Sequence, residues 1–186
     1  MLKSRLCIAF FAFAVGCAPA QKPLTDYVNP MLGTATLWDS VDLGFKPTKR
    51  TWGAEVFPGS SLPNAMVQVS PVTKFHSGAG YQYEDSVIYG FTHTNKGHWN
   101  LCHIPLLPVT GTPTPGDYCS PFSHERESAA PGYYQVFLDR YGVDAQLSST
   151  LRCAFHKYTY PAGAAASLLA DLQRSNEHVR AWDIRK

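Results

Sequence analysis

From residue 65 onward, apolar side chains recur mostly at every second position, in short runs separated by Gly, Pro and Asn. That period of two is the signature of strands with one face buried. Residues 65–70 (Ala-Met-Val-Gln-Val-Ser) read as a half-buried strand. Residues 87–94 and 101–109 are two alternating runs flanking a polar loop at 95–100. Pro105 and Pro108 interrupt the second run, which predicts an edge or bulged strand. Residues 133–138, 143–148 and 152–160 form a meander, with a turn at 139–142. After a second turn at 161–163, residues 166–172 read as a core strand. Residues 26–34 predict a first strand ending in a turn, because Asn29-Pro30 disfavours helix. Residues 36–51 have no period and read as a surface loop, and 123–130 are polar, at most a helical turn. Only the tail, 176–186, could be helical. Short strands, tight turns, 14 Gly and 14 Pro together predict an all-β chain built as an antiparallel β-sandwich.

The chain has 186 residues, 45% of them hydrophobic, enough for one core and not for two independent domains. Residues 1–20 read as an export signal, in which Lys3 and Arg5 precede an apolar stretch at 6–15 too short for a permanent span. Two endings fit this leader. Ala14-Val15-Gly16-Cys17 resembles a bacterial lipoprotein box with Cys17 as the lipidated residue, and Ala18-Pro19-Ala20 fits an A-x-A cleavage site. The first is favoured, because Cys directly after a small residue closes the apolar run. The expected location is therefore periplasmic or cell-surface, as an outer-membrane lipoprotein. Without Lys3 and Arg5, 14 basic residues face 14 acidic ones, which leaves no electrostatic footprint for nucleic acid. Past the leader, Cys102, Cys119 and Cys153 are an odd set without C-x-x-C spacing, so neither a zinc site nor a disulfide framework is indicated, although one disulfide could form. Cys102 and Cys153 fall in predicted strands, where a thiol acts as a small hydrophobe.

The candidate chemistry gathers around residues 93–100, where His93, Asn95, Lys96, His98 and Trp99 sit between two strands. A β-scaffold presents a polar-ligand site in this way. Trp99 could stack on a pyranose, since indole is a flat surface and a sugar offers a C–H face; the competing reading is a Trp buried in a domain contact. His98, beside Gly97, suits hydrogen bonding to hydroxyls, whereas His93, inside an alternating run, suits a structural role. His103 and His156 have no carboxylates at metal-site spacing. Glu125 and Glu127 read as a solvated turn with a local ion pair rather than as a catalytic pair.

Val28-Asn29-Pro30 with Gly33-Thr34, Phe57-Pro58-Gly59, the run from Pro63 through Pro71, Gly90-Phe91-Thr92-His93-Thr94, Phe122-Ser123-His124-Glu125, Pro131-Gly132-Tyr133-Tyr134-Gln135-Val136 and Phe155-His156-Lys157-Tyr158-Thr159-Tyr160-Pro161 occur in one order. Together they resemble the amino-terminal domain of glycoside hydrolase family 92, the calcium-dependent exo-acting α-mannosidases abundant in gut Bacteroidetes, over residues 26 to about 172. The resemblance implies a supersandwich of the galactose-mutarotase-like type, followed in the family by an (α/α)6 barrel that holds both catalytic carboxylates and the calcium ligands. It also implies inverting hydrolysis of α-linked mannose, in which one carboxylic acid protonates the leaving oxygen and a second carboxylate activates water. Residues 21–186 then read as a partial sandwich domain, inactive without the barrel, with no catalytic residue, bound calcium or other metal of its own. Its partners are α-mannoside glycans and the barrel in cis. By the same resemblance the loop at 95–100 lends side chains to the sugar-site rim, which makes Trp99, His98, Asn95 and His93 substrate-binding candidates. Trp52 and Glu55, in a segment facing the barrel, are further rim candidates. The loop departs from the Leu/Ser/Gly-type sequence of many members, which bears on linkage specificity. The rival expectation is a free-standing carbohydrate-binding surface lipoprotein, and a weaker one is a structural envelope lipoprotein.

Overall fold

The computed structural model describes residues 21–36, 55–95, 101–177, 179, 181–183 and 185. Its frame is the meander of the last third. Strands β8 (Tyr133–Leu138) and β9 (Val143–Ser149) bury Tyr134, Val136, Leu138, Val143, Ala145 and Leu147 on one face. The alternation read in the sequence is realised residue by residue. The turn between them needs a left-handed residue, supplied by Gly142 at φ 64°. Strand β10 (Ala154–Thr159) pairs with β9, and β7 (Glu127–Ala130) pairs with β8, giving the four-stranded order β10-β9-β8-β7.

The second layer is assembled from β1 (Ser60–Ser61), β2 (Gln68–Val72), β4 (Gly90–Thr92), β5 (Leu106–Thr110) and β11 (Ala166–Ala170), in the order β1-β2-β4-β5-β11. The short strands β3 (Val87–Ile88) and β6 (Ser120–Pro121) pair separately. All strand pairs are antiparallel. Val69, Phe91, Leu107 and Val109 of this layer meet the buried face of β8 and β9 in one core. The chain is all-β and antiparallel, with two single-turn 3-10 helices among the described residues, at Leu24–Tyr27 and His124–Arg126.

Several expectations are corrected. Residues 24–27 form a 3-10 turn, not a strand; Asn29 accepts from the Met31 N–H at 3.0 Å and starts the following turn, and no strand among the described residues pairs with it. Strand β2 starts three residues later than the half-buried run and is buried on both faces, because β9 covers it from the other layer and the segments carrying Gly59 and Gly80 lie against Ser70 and Val72. Strand β5 is internal, between β4 and β11, despite Pro108 within it and Pro105 just before it. Its pairing with β4 is confined to Phe91 opposite Leu106, and Pro108 lies beyond that point, where this side of β5 carries no ladder. Strand β7 was hidden in the polar stretch 123–130, and β11 is a mostly exposed edge rather than a core strand. Cys102 is buried but outside any strand, and Cys153 is exposed. The described part of the tail is not helical.

The Phe57-Pro58-Gly59 motif has a steric cause. A Cβ at position 59 would stand 2.0 Å from the Val69 carbonyl oxygen and 2.5 Å from the Ser70 Cβ. Only glycine lets this segment lie directly on β2 and deliver Ser60 to the sheet edge.

Candidate functional site

The site grows from the end of β2. After Val72 the chain leaves the sheet in a turn, where the Thr73 and Lys74 N–H groups donate to the Gly80 carbonyl. Gly80 has φ +82°, and a side chain there would strike the Cys102 sulfur at 2.7 Å. The turn projects Phe75 against Tyr89, with ring centroids 5.5 Å apart. Arg174 lies over Tyr89 at 5.2 Å and over Tyr118 at 5.0 Å, a cation between two aromatic faces. Phe75, Tyr89 and the guanidinium line a cleft of about 580 Å³, together with Lys74, His76 and Glu177.

The tail forms the opposite wall because Asn176 stitches it down. Its side-chain oxygen accepts from the His76 N–H at 2.7 Å, its amide nitrogen donates to the Ser77 carbonyl at 3.3 Å, and its backbone N–H donates to the Leu101 carbonyl at 2.9 Å. Glu177 accepts from the Leu101 N–H at 3.4 Å and lies 3.5 Å from His103. The wall thus meets the chain where it re-enters after residues 96–100. Leu101, Cys102, Ile104 and the rim residue His76 all have φ between 52° and 64°. Such left-handed residues cost on the order of 1 kcal/mol or more each. Strain of this kind clusters where geometry serves a site.

Of the predicted site residues, Asn95 is fully buried behind the cleft. Its side-chain oxygen accepts from the Thr92 hydroxyl, and its amide donates to the Ala79 carbonyl at 3.2 Å and the Pro71 carbonyl at 3.4 Å. All its polar atoms are engaged by the protein, so it holds the loop's entry in place. His93 is half-buried and its Nε2 lies 2.7 Å from the Nε2 of His156. Burial lowers His93, and burial followed by the nearness of His93 pushes His156 down to about 4. Glu55 is exposed, on the approach to β1. Trp99, His98, Trp52 and Cys17 lie outside the described residues. The structure does not bring Asn95, His93 and Glu55 together in one cleft. The lining residues Phe75, Tyr89 and Arg174 were missed; the one local signal was an aromatic-His pair just before the Gly78-Ala79-Gly80 turn.

Behind the cleft lies a polar hub. The Glu127 side chain, 2% exposed, accepts from Tyr81 at 2.9 Å, from Tyr134 at 2.5 Å and from His124 Nδ1 at 2.5 Å. His124 stacks on Tyr83 and reaches the Tyr83 carbonyl through Nε2 at 2.7 Å. Burial, reinforced by Glu127, raises both phenols well above their ordinary range. The local pairing expected in the 123–127 turn is present as a hydrogen bond between His124 and Glu127, but its carboxylate is buried, not solvated. The hub ties residues 80–85, and through them the turn carrying Phe75, to the β7–β8 hairpin.

An aromatic floor with a cation, an imidazole and a carboxylate at its rim can stack on the C–H face of a pyranose and hydrogen-bond its hydroxyls. Among the described residues, no three His, Cys, Asp or Glu side chains converge to hold a metal ion.

A search of curated proteins finds no match. Among solved structures, the family GH92 α-mannosidase BT3965 from Bacteroides thetaiotaomicron, determined with and without mannoimidazole, matches with a TM-score of 0.69 at 31% identity, covering 82% of this chain and 20% of that one. The inverting mannosidase BT2199 of the same organism matches with a TM-score of 0.63 at 27% identity, over 81% of this chain and 20% of its own. The GH92 glycosyl hydrolase ccman5 matches with a TM-score of 0.54 at 32% identity, over 64% and 18%. The chain thus spans about a fifth of the length of the structures it resembles. Residues 27–185 match the model of the glycosyl hydrolase family 92 N-terminal domain. With the antiparallel sheets and the ordered motifs, this match makes the chain a member of glycoside hydrolase family 92, carrying that family's N-terminal domain.

Proposed function

We propose that this chain is the N-terminal sandwich of an exported, inverting α-mannosidase acting on α-linked mannose of glycans, and that its cleft forms part of the sugar-site rim. The observation that carries the reading is the position of the cleft. In a domain of mannosidase type, its aromatic floor and charged wall adjoin the point where residues 96–100 rejoin the fold, the loop expected to meet the sugar. Trp99, His98 and Trp52 then complete the rim from outside the described residues. On this reading the domain contributes binding surface. Proton transfer to the leaving oxygen and activation of water fall to two carboxylates in the (α/α)6 barrel, which also carries the calcium.

The test is calcium-dependent mannose release from α-mannosides, measured on this chain alone and on the chain joined to a family 92 barrel. Activity only in the joined protein is the expected result, because losing both carboxylates removes the mechanism rather than slowing it. Activity of the 186 residues alone refutes the assignment. Saturable mannoside binding by this chain, with no activity in either form, transfers the weight to a sugar-binding lipoprotein. Export with a lipid on Cys17 belongs to the same proposal. Cys17→Ser should abolish radiolabelled palmitate incorporation and release the protein from the membrane fraction; unchanged labelling refutes the lipoprotein box.

A further inference from the structure

His93 follows β4 in the five-stranded sheet, and His156 stands on β10 at the edge of the four-stranded one. Their Nε2 atoms are 2.7 Å apart and their ring centroids 4.9 Å. One of two imidazoles so placed must donate and the other accept, so the gap holds one proton. The His156 ring is fixed from its other side, where Nδ1 lies 2.7 Å from the Tyr158 hydroxyl. The Phe91 ring meets His156 edge-on at 6.4 Å and stacks on Tyr158 at 6.2 Å, closing the apolar side.

Among the described residues, the titratable groups facing His156 are His93 and Tyr158, and the one facing His93 is His156. Opposite on β9, His156 meets Leu147 and Tyr158 meets Ala145. Lys157 is exposed on the other face of β10, and among the described residues neither ring forms an ion pair with a carboxylate. On the β2 side, the His93 carbonyl accepts from the Gln68 N–H at 3.0 Å, and the Asn95 N–H donates to the Gln68 carbonyl at 3.1 Å. The pair thus anchors the three residues that lead into 96–100.

We propose that His93 and His156 form an acid-released latch between the two sheets, closed while the rings share one proton and opened when both are protonated. Two cationic rings at this distance would turn N–H toward N–H in a half-buried site where, among the described residues, no carboxylate pairs with either ring. The sign follows from the direction of the shifts. Both rings favour the neutral form in the fold. The latch therefore contributes fully above the ordinary His value of about 6.5 and is lost as pH falls toward about 4. Each proton taken up only on unfolding makes the unfolding equilibrium constant rise about tenfold per pH unit.

The experiment is urea unfolding of the full chain between pH 7 and 4, beside His156→Gln, which keeps a hydrogen-bonding amide without a titration. The wild-type unfolding constant should rise across this window by about tenfold per pH unit more than that of His156→Gln, near the one-proton limit. Equal slopes for the wild type and His156→Gln overturn the latch. Should His156→Gln fail to fold, NMR titration of the wild-type imidazole Hε1 resonances decides: a His156 midpoint well below the ordinary histidine range supports the latch, and an ordinary one overturns it.

Discussion

Replacing Glu127 by Ala removes the carboxylate on which two buried tyrosines and a histidine converge. Tyr81 is 1% exposed and Tyr134 fully buried, so neither hydroxyl can turn to water when its acceptor goes. An orphaned buried polar group costs about 1–3 kcal/mol. His124 loses its partner too, but it is one-third exposed and rehydrates at small cost. Two orphaned hydroxyls and the loss of packing put Glu127→Ala at about 3–5 kcal/mol, the range of a broken buried charged network. Against a total of about 5–15 kcal/mol for a domain, that is a severe change. Glu127→Gln keeps the shape and one acceptor oxygen, yet aims an NH2 at a donor, and should cost about half as much. Urea unfolding followed by intrinsic fluorescence supplies both values, and the double-mutant cycle with Tyr134→Phe isolates one bond. Because Tyr134→Phe deletes an orphan in the Glu127→Ala background, it should cost about 1–2 kcal/mol less there than in the wild type. A Glu127→Ala protein within about 0.5 kcal/mol of wild type, the range of a surface substitution, would refute the hub.

Two further expectations follow from single contacts. Gly59→Ala places a methyl 2.0 Å from the Val69 carbonyl oxygen, a backbone clash that cannot relax by side-chain rotation; denaturant titration should register a loss of at least about 2 kcal/mol, and near-wild-type stability would mean the segment does not lie on β2. Phe75→Ala, at a half-buried position on the cleft floor, should lower kcat/KM for an α-mannoside about tenfold in the barrel-joined protein while the unfolding midpoint shifts little; unchanged kinetics would remove the cleft from the sugar site.

What could be read from the sequence was local in origin. The period of two in residues 133–138 and 143–148 places Tyr134, Val136, Leu138, Val143, Ala145 and Leu147 on the core face, and the turn joining them is encoded within four residues ending in Gly142. Strand pairs closed by such turns need no information from elsewhere in the chain. The ordered motifs likewise announced the family, and one of them, Phe57-Pro58-Gly59, marks a constraint of backbone contact on β2. Tertiary structure alone decided the rest, because the deciding partners lie far apart in sequence. Glu127 reads as a solvated turn residue until Tyr81, 46 positions away, closes over it. His156 looks isolated until the fold brings His93 across 63 positions. The tail looks helical until Asn176 finds His76 at a separation of 100 and becomes a wall of the cleft. In each case a polar side chain's role depends on which buried donor or acceptor it satisfies, and periodicity carries apolar burial but not that pairing.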